Sequence, residues 1–222
     1  ESAARLHQIC KLLSIPLFLV GHVTKEGAIA GPKVLEHLVD VVLYLEGERF
    51  HSLRMLRGVK NRFGPTDEVG LFEMKNEGLS DVSNPSDLFL SKQETAKPGS
   101  IVVITQEGTR PLAVEIQALV VYSKHPQTRR VGNGFDFNRL QMLLAIVSKH
   151  LNLPISDYDV YVNVASGFSI REPAADLAVC LAVISSLKNK PLPKLTVAIS
   201  EVGLLGELRA VSFEDKRVKQ SK

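Results

Sequence analysis

Six consecutive apolar residues, Ile15-Pro16-Leu17-Phe18-Leu19-Val20, constrain what this chain can fold into more than any other feature. A continuous apolar run of strand length reads as a strand buried on both faces, because a half-exposed strand alternates instead. Pro16 is tolerated near a strand start. Just before the run, Ser2 can cap a helix that places Leu6, Ile9, Cys10 and Leu13 on one face. Residues 22–33 are polar, contain two glycines and read as a loop. A short helix carrying Val34, Leu35 and Leu38 leads into a second buried strand, Val39–Leu45. Glu46-Gly47-Glu48 then turns into strand Ser52–Lys60, with Val69–Met74 pairing next. Helix, parallel-type strand and then antiparallel strands make an α/β core that finishes in a mixed edge.

The stretch Glu77–Ser100, with Asn84-Pro85-Ser86 and Lys97-Pro98-Gly99, is the best boundary. It divides the chain into residues 1–80, a linker at 81–99, and a second unit at 100–222. In that unit Ile101–Thr105 and Leu112–Val121 are strands split by the turn Glu107-Gly108-Thr109, and Tyr122–Asn133 is a polar, basic loop. Phe137, Leu140, Leu144, Val147 and Leu151 form one helical stripe over 137–151. Val160, Val162 and Val164 alternate as a strand, Pro173–Leu187 is a helix with Pro173 in its first turn, and Leu195–Ile199 is the last clear strand.

Composition mainly excludes. A chain of 222 residues with 45% hydrophobic residues can bury a sizeable core and is not a disordered tail. No apolar run reaches the roughly 18 residues of a membrane span, and no secretory signal opens the sequence. Cys10 and Cys180 are far apart on apolar helical faces, which suits buried thiols in a reducing compartment better than a disulfide or a zinc site. The formal charge of +3 is too small to establish nucleic-acid binding, so any such argument rests on local clusters.

The densest cluster is Lys60-Asn61-Arg62-Phe63-Gly64, two cations, an amide, an aromatic ring and a hinge at a strand end, broken by Pro65. The guanidinium suits bidentate phosphate contacts and the ammonium a point contact. On charge pattern alone, a solvated basic strand end explains it. The string KNRFG, however, resembles the hallmark of the RadA/Sms family, RecA-like DNA motors that process recombination intermediates. Gly21–Gly27, Ala30–His37, Glu107–Pro111, Glu115–Val120, Asp176–Ala178 and Glu201–Arg209 continue that resemblance over most of the chain.

The resemblance implies the C-terminal part of a RecA-like mixed sheet followed by an α+β domain similar to the proteolytic domain of Lon. It implies ATP with Mg2+ as cofactor, and a zinc finger and a phosphate-binding Walker segment upstream. No GxxxxGK[ST] occurs in these 222 residues, so the chain is expected to be a fragment. The implied partners are single-stranded or branched DNA, a RecA-type recombinase and further copies in a hexameric ring, without a membrane. The implied setting is the bacterial cytoplasm, or an organelle if the source is a plant. The expected activity is DNA-dependent ATP hydrolysis that drives branch migration. The alternative is a non-catalytic DNA-binding or oligomerisation module.

Residue by residue, the resemblance makes Lys60 the contact to a neighbouring subunit's nucleotide, because a mobile ammonium can neutralise developing phosphate charge. Arg62 is the second candidate, for nucleotide or DNA phosphate, with Asn61, Phe63 and Gly64 shaping the loop. His22, just past the first buried strand, is the expected sensor of the nucleotide's terminal phosphate. Thr24, Lys25 and Lys33 lie on the expected DNA-channel loop, where lysines neutralise phosphates without reading sequence. Arg129 and Arg130, grouped with Lys124, His125 and Arg139, suit a duplex backbone, and an exposed charged loop explains them equally well.

The Lon resemblance raises a Ser/Lys peptidase as a third class. Glu172-Pro173-Ala174-Ala175-Asp176 aligns with Lon's GPSAG, so the nucleophile's position is Ala174, which has no hydroxyl. Asp215 falls near the expected base, and Ser166 and Ser169 precede the helix. A scaffold that lacks the chemistry is the expectation.

Overall fold

The structure, a computed structural model, describes residues 2–22, 35–47, 52–82, 90, 95–125 and 127–221. It is a mixed α/β chain with two four-stranded sheets and one short two-stranded ribbon among those residues. The first sheet is an antiparallel meander of β1 (Val41–Glu46), β2 (Leu53–Asn61), β3 (Val69–Lys75) and β4 (Gly78–Asp81). A helical turn at 35–38 precedes it, and α1 (Ser2–Leu12) lies at the start of the chain.

The second sheet contains β5 (Ser100–Glu107), β6 (Arg110–Tyr122), β7 (Arg130–Asn133) and β8 (Tyr158–Val164), in the order β5-β6-β8-β7. Strands β7 and β8 are parallel. Parallel neighbours need a long crossover, and α2 (Phe137–Leu151) supplies it. Asp136 caps α2 by accepting from Arg139 N at 2.8 Å, and Asn152 ends it in the left-handed region. Helix α3 (Asp176–Leu187) packs on β5 and β6, and its Ala178, Val179, Ala182 and Val183 are fully buried. The ribbon of β9 (Glu201–Val202) and β10 (Leu208–Arg209) and the helix α4 (Glu214–Gln220) follow.

One apolar core holds Val103, Val114, Ile116, Leu140, Val160, Val162 and the inner face of α3, and it also contains Val69 and Leu71 of β3. The β5–β6 turn seals that junction. Thr109 N donates to Asp67 O at 2.7 Å, and Gly108, at φ +58°, lies so close that a Cβ there would overlap the Asp67 carbonyl. Beside it, Arg57 Nη2 donates to Glu107 Oε2 at 2.9 Å. Desolvation, outweighing the attraction of Arg57, raises the pKa of Glu107 above the ordinary carboxylate value.

Several expectations are corrected here. Residues 15–22 carry no strand, and Phe18 and Val20 are 89% and 95% exposed. A strand buried on both faces takes its cover from neighbours, and none of the described residues pairs with this run. The expected face of α1 is likewise uncovered, since α1 has no buried residue. Strand β1 is exposed along Val41, Leu43 and Leu45 instead of being buried. The polar loop at 122–133 ends in β7, because the α2 crossover returns the chain alongside it. Residues 195–199 make only an isolated parallel bridge, Val102 to Val197. The charged run at 214–220 forms α4, whose Arg217 is 1% exposed.

Candidate functional site

Strand β2 ends in the cluster singled out from sequence. Lys60 is half-buried rather than free in solvent, and its Nζ donates to Glu36 O and Val39 O, each at 2.8 Å. These are carbonyls at the C-terminal end of the 35–38 helical turn, where cations are favoured. An ammonium has three donors. Two are used here, and no third partner occurs among the described residues.

Arg62 Nη1 donates to Asp40 Oδ1 at 3.1 Å with the guanidinium about half exposed, while Arg62 N donates to Asp40 O at 3.0 Å. Asn61 turns the chain: its Oδ1 accepts from Phe63 N at 3.1 Å and its Nδ2 donates to Pro65 O at 3.2 Å. Side-chain mimicry of a backbone turn is what Asn does well. Phe63 is consequently thrown outward, 79% exposed. The site therefore presents one part-used ammonium, one exposed guanidinium and an aromatic face at a single strand end.

Sequence reasoning missed the residues that brace this cluster. Tyr44 Oη donates to Glu36 Oε1 at 2.6 Å, and that bond raises the phenol pKa above its ordinary value. The one available signal was a polar-tipped aromatic inside Val41-Val42-Leu43-Tyr44-Leu45. Asp40 carried no comparable signal.

His22 is exposed at the end of the unpaired 15–22 run. Thr24, Lys25 and Lys33 lie outside the described residues. The basic group of the second unit is not one surface. Arg139 donates through Nε to Asp176 Oδ1 at 3.0 Å and through Nη2 to Asp176 Oδ2, and Asp176 is fully buried. The pKa of the Arg139 guanidinium is raised, first by that hydrogen bond. Arg130 spends its guanidinium on Tyr158 O and on Ile155 O at 2.8 Å, and burial lowers its pKa. Arg129, Lys124 and His125 remain exposed. The reason is chemical: a fork with five donors satisfies several acceptors at once, here ones distant in sequence.

Ala174 is buried, and its carbonyl accepts from Ser200 N at 3.1 Å. Nearby, Arg217 donates to Ile104 O at 2.5 Å and to both oxygens of Glu172 at 2.8 and 2.5 Å. Glu172 also accepts from Thr105 Oγ1 and Gln106 N, each at 2.7 Å. Asp215 is exposed on α4, Ser169 is exposed, and the Ser166 side chain lies outside the description. Among the described residues no group of three or more His, Cys, Asp or Glu side chains could hold a metal ion, and no helix is long and apolar enough to cross a membrane.

No protein-family model matches the chain. Curated relatives do. Over 221 residues, all of this chain and 49% of the relative, it is 52% identical to a Pseudomonas aeruginosa protein named DNA repair protein RadA. The protein of that name from Bacillus subtilis is 48% identical over 221 residues, again all of this chain and 48% of the relative. The one from Aquifex aeolicus is 50% identical over 222 residues, all of this chain and 50% of the relative. The chain spans about half the length of the curated relatives it matches.

Proposed function

Because the chain belongs to the RadA family, we propose that it is the nucleotide-coupling and DNA-facing part of an ATP-dependent motor of DNA repair. Residues 1–80 finish a RecA-like core, 81–99 link, and 100–222 form a Lon-like domain that builds a ring without cutting peptides. In the complete protein ATP with Mg2+ is bound mainly by a segment outside this chain. Hydrolysis drives branch migration on single-stranded or branched DNA, alongside a RecA-type recombinase, in the cytoplasm of a bacterium.

The observation that carries this reading is the turn at Lys60–Gly64, with an ammonium that keeps one donor unspent among the described residues, beside an exposed guanidinium. Phosphoryl transfer asks a protein mostly for placed positive charge, and a cation from an adjoining subunit can supply it. In this reading Lys60 meets the neighbour's nucleotide and Arg62 the nucleotide or DNA phosphate. His22 senses the terminal phosphate, Thr24, Lys25 and Lys33 line the DNA path, and Arg129 is the more available of the arginine pair. The peptidase alternative is disfavoured by Ala174, which is buried and lacks a nucleophile.

Lys60→Ala in the full-length protein tests the reading. DNA-stimulated ATP hydrolysis should nearly vanish while circular dichroism stays unchanged. Wild-type turnover would reduce the cluster to a structural strand end.

A further inference from the structure

Lys60 meets its carbonyls because β2 is irregular. Tyr44 pairs with Arg57 and Leu43 with Gly58, but Val42 pairs with Lys60, leaving Val59 without a partner on β1. Side chains alternate along a regular strand, so residues 57 and 60 would point to opposite faces. The bulge absorbs one residue and returns Lys60 to the face that carries Met55, Arg57 and Tyr44. That is the face on which the 35–38 turn is held.

The turn is fastened at Glu36 from both ends. Its carboxylate accepts from Tyr44 Oη at 2.6 Å, and its backbone carbonyl accepts from Lys60 Nζ at 2.8 Å. Three side chains on two strands and one turn thus form a closed circuit. Removing the phenolic hydroxyl opens it and leaves the ring in place.

We propose that Tyr44 is a positioning residue: through Glu36 it fixes the carbonyl cradle that holds Lys60 with one N–H directed to a phosphate oxygen of the nucleotide. The phosphate half of this statement rests on the motor reading above, and the cradle half does not. Glu36 acts by accepting a hydrogen bond, so a neutral amide at that position serves equally.

The test uses the full-length protein carrying Tyr44→Phe, Glu36→Gln or Glu36→Ala, each also combined with Lys60→Ala. Tyr44→Phe and Glu36→Ala should lower kcat for DNA-stimulated ATP hydrolysis about five- to tenfold with KM for ATP within about twofold, the size of one typical intramolecular hydrogen bond. Glu36→Gln should stay near wild type. In the Lys60→Ala background Tyr44→Phe should add nothing, because both act through one group. A second readout is independent of hydrolysis: brief acylation with an N-hydroxysuccinimide ester, with modification of Lys60 quantified by mass spectrometry. The cradle shields the amine, so Tyr44→Phe should raise its labelling by a factor of about three or more through local opening. Equal labelling in the two proteins, or an equal kcat loss with and without Lys60, overturns the proposal. Wild-type turnover by Lys60→Ala together with increased labelling in Tyr44→Phe would overturn the phosphate role and the motor reading while upholding the cradle.

Discussion

Replacing Arg139 by Met removes the cation that faces Asp176, a carboxylate with no exposed surface. Three contacts hold that carboxylate: Arg139 Nε at 3.0 Å, Arg139 Nη2, and Val202 N at 3.1 Å. Only the backbone donor survives the substitution. Breaking a buried pair from one side costs about 3–5 kcal/mol, since the remaining charge stays desolvated. Because Arg139 is partly exposed, the lower end applies, about 3 kcal/mol. The bonded arginine has a raised pKa, so its contribution is complete below the ordinary guanidinium value and is lost only as pH rises through the folded one. The whole neutral range lies below both. Urea unfolding followed by native-state hydrogen exchange on α2 and α3 amides would read the loss. Arg139→Met with Asp176→Leu should recover most of it, because an apolar pair carries no stranded charge. A single substitution costing under about 1 kcal/mol, or a double one no better than the single, would refute the reasoning.

Three further outcomes follow from the described contacts. Burial pushes the Cys180 thiol up to about 12, so iodoacetamide at pH 8 should leave it unmodified in the native protein and alkylate it fully in urea, as read by intact mass. Gly108→Ala combines a left-handed φ of +58° with overlap on the Asp67 carbonyl and should cost about 1–3 kcal/mol, seen as a lower urea midpoint at unchanged slope. Glu107 has a raised pKa in the folded state, so it favours folding most at low pH and loses that contribution as pH rises from the ordinary carboxylate value through the raised one; Glu107→Gln should flatten this part of the urea-stability profile measured between pH 4 and 7.

Local signals were legible wherever local physics sets the outcome. The helix expected over 137–151 matches the bounds of α2, because an apolar period acts within one or two turns, although Phe137 and Leu151 at the ends of the expected stripe are exposed. The Glu107-Gly108-Thr109 turn was equally readable, since Gly108 supplies a left-handed conformation. What escaped depends on partners distant in sequence. Arg130, Arg139 and Arg217 look alike as letters, yet each is drawn inward by carbonyls or a carboxylate that only the fold brings near. The run at 15–20 fails for the converse reason: its composition demands neighbours on both sides, and the described residues do not supply them. At the candidate site, composition marked Lys60 and Arg62, whereas the bond between Tyr44 and Glu36, and its link to Lys60, became visible only through the bulged pairing of β1 with β2.

The bond from Arg217 to Ile104 spans 113 residues and has a consequence for synthesis on the ribosome. Strands emerge in order, so β5 and β6 can pair as soon as both are out. The Ile104 carbonyl and the Glu172 carboxylate then wait for a guanidinium made well after both of them. At elongation speeds of about 5–20 residues per second, the 45 residues between Glu172 and Arg217 leave the acidic group without its cation for a few seconds. During that interval the second sheet has its strands but not its seal, and termination by a stop codon shortly before residue 217 would make the interval permanent.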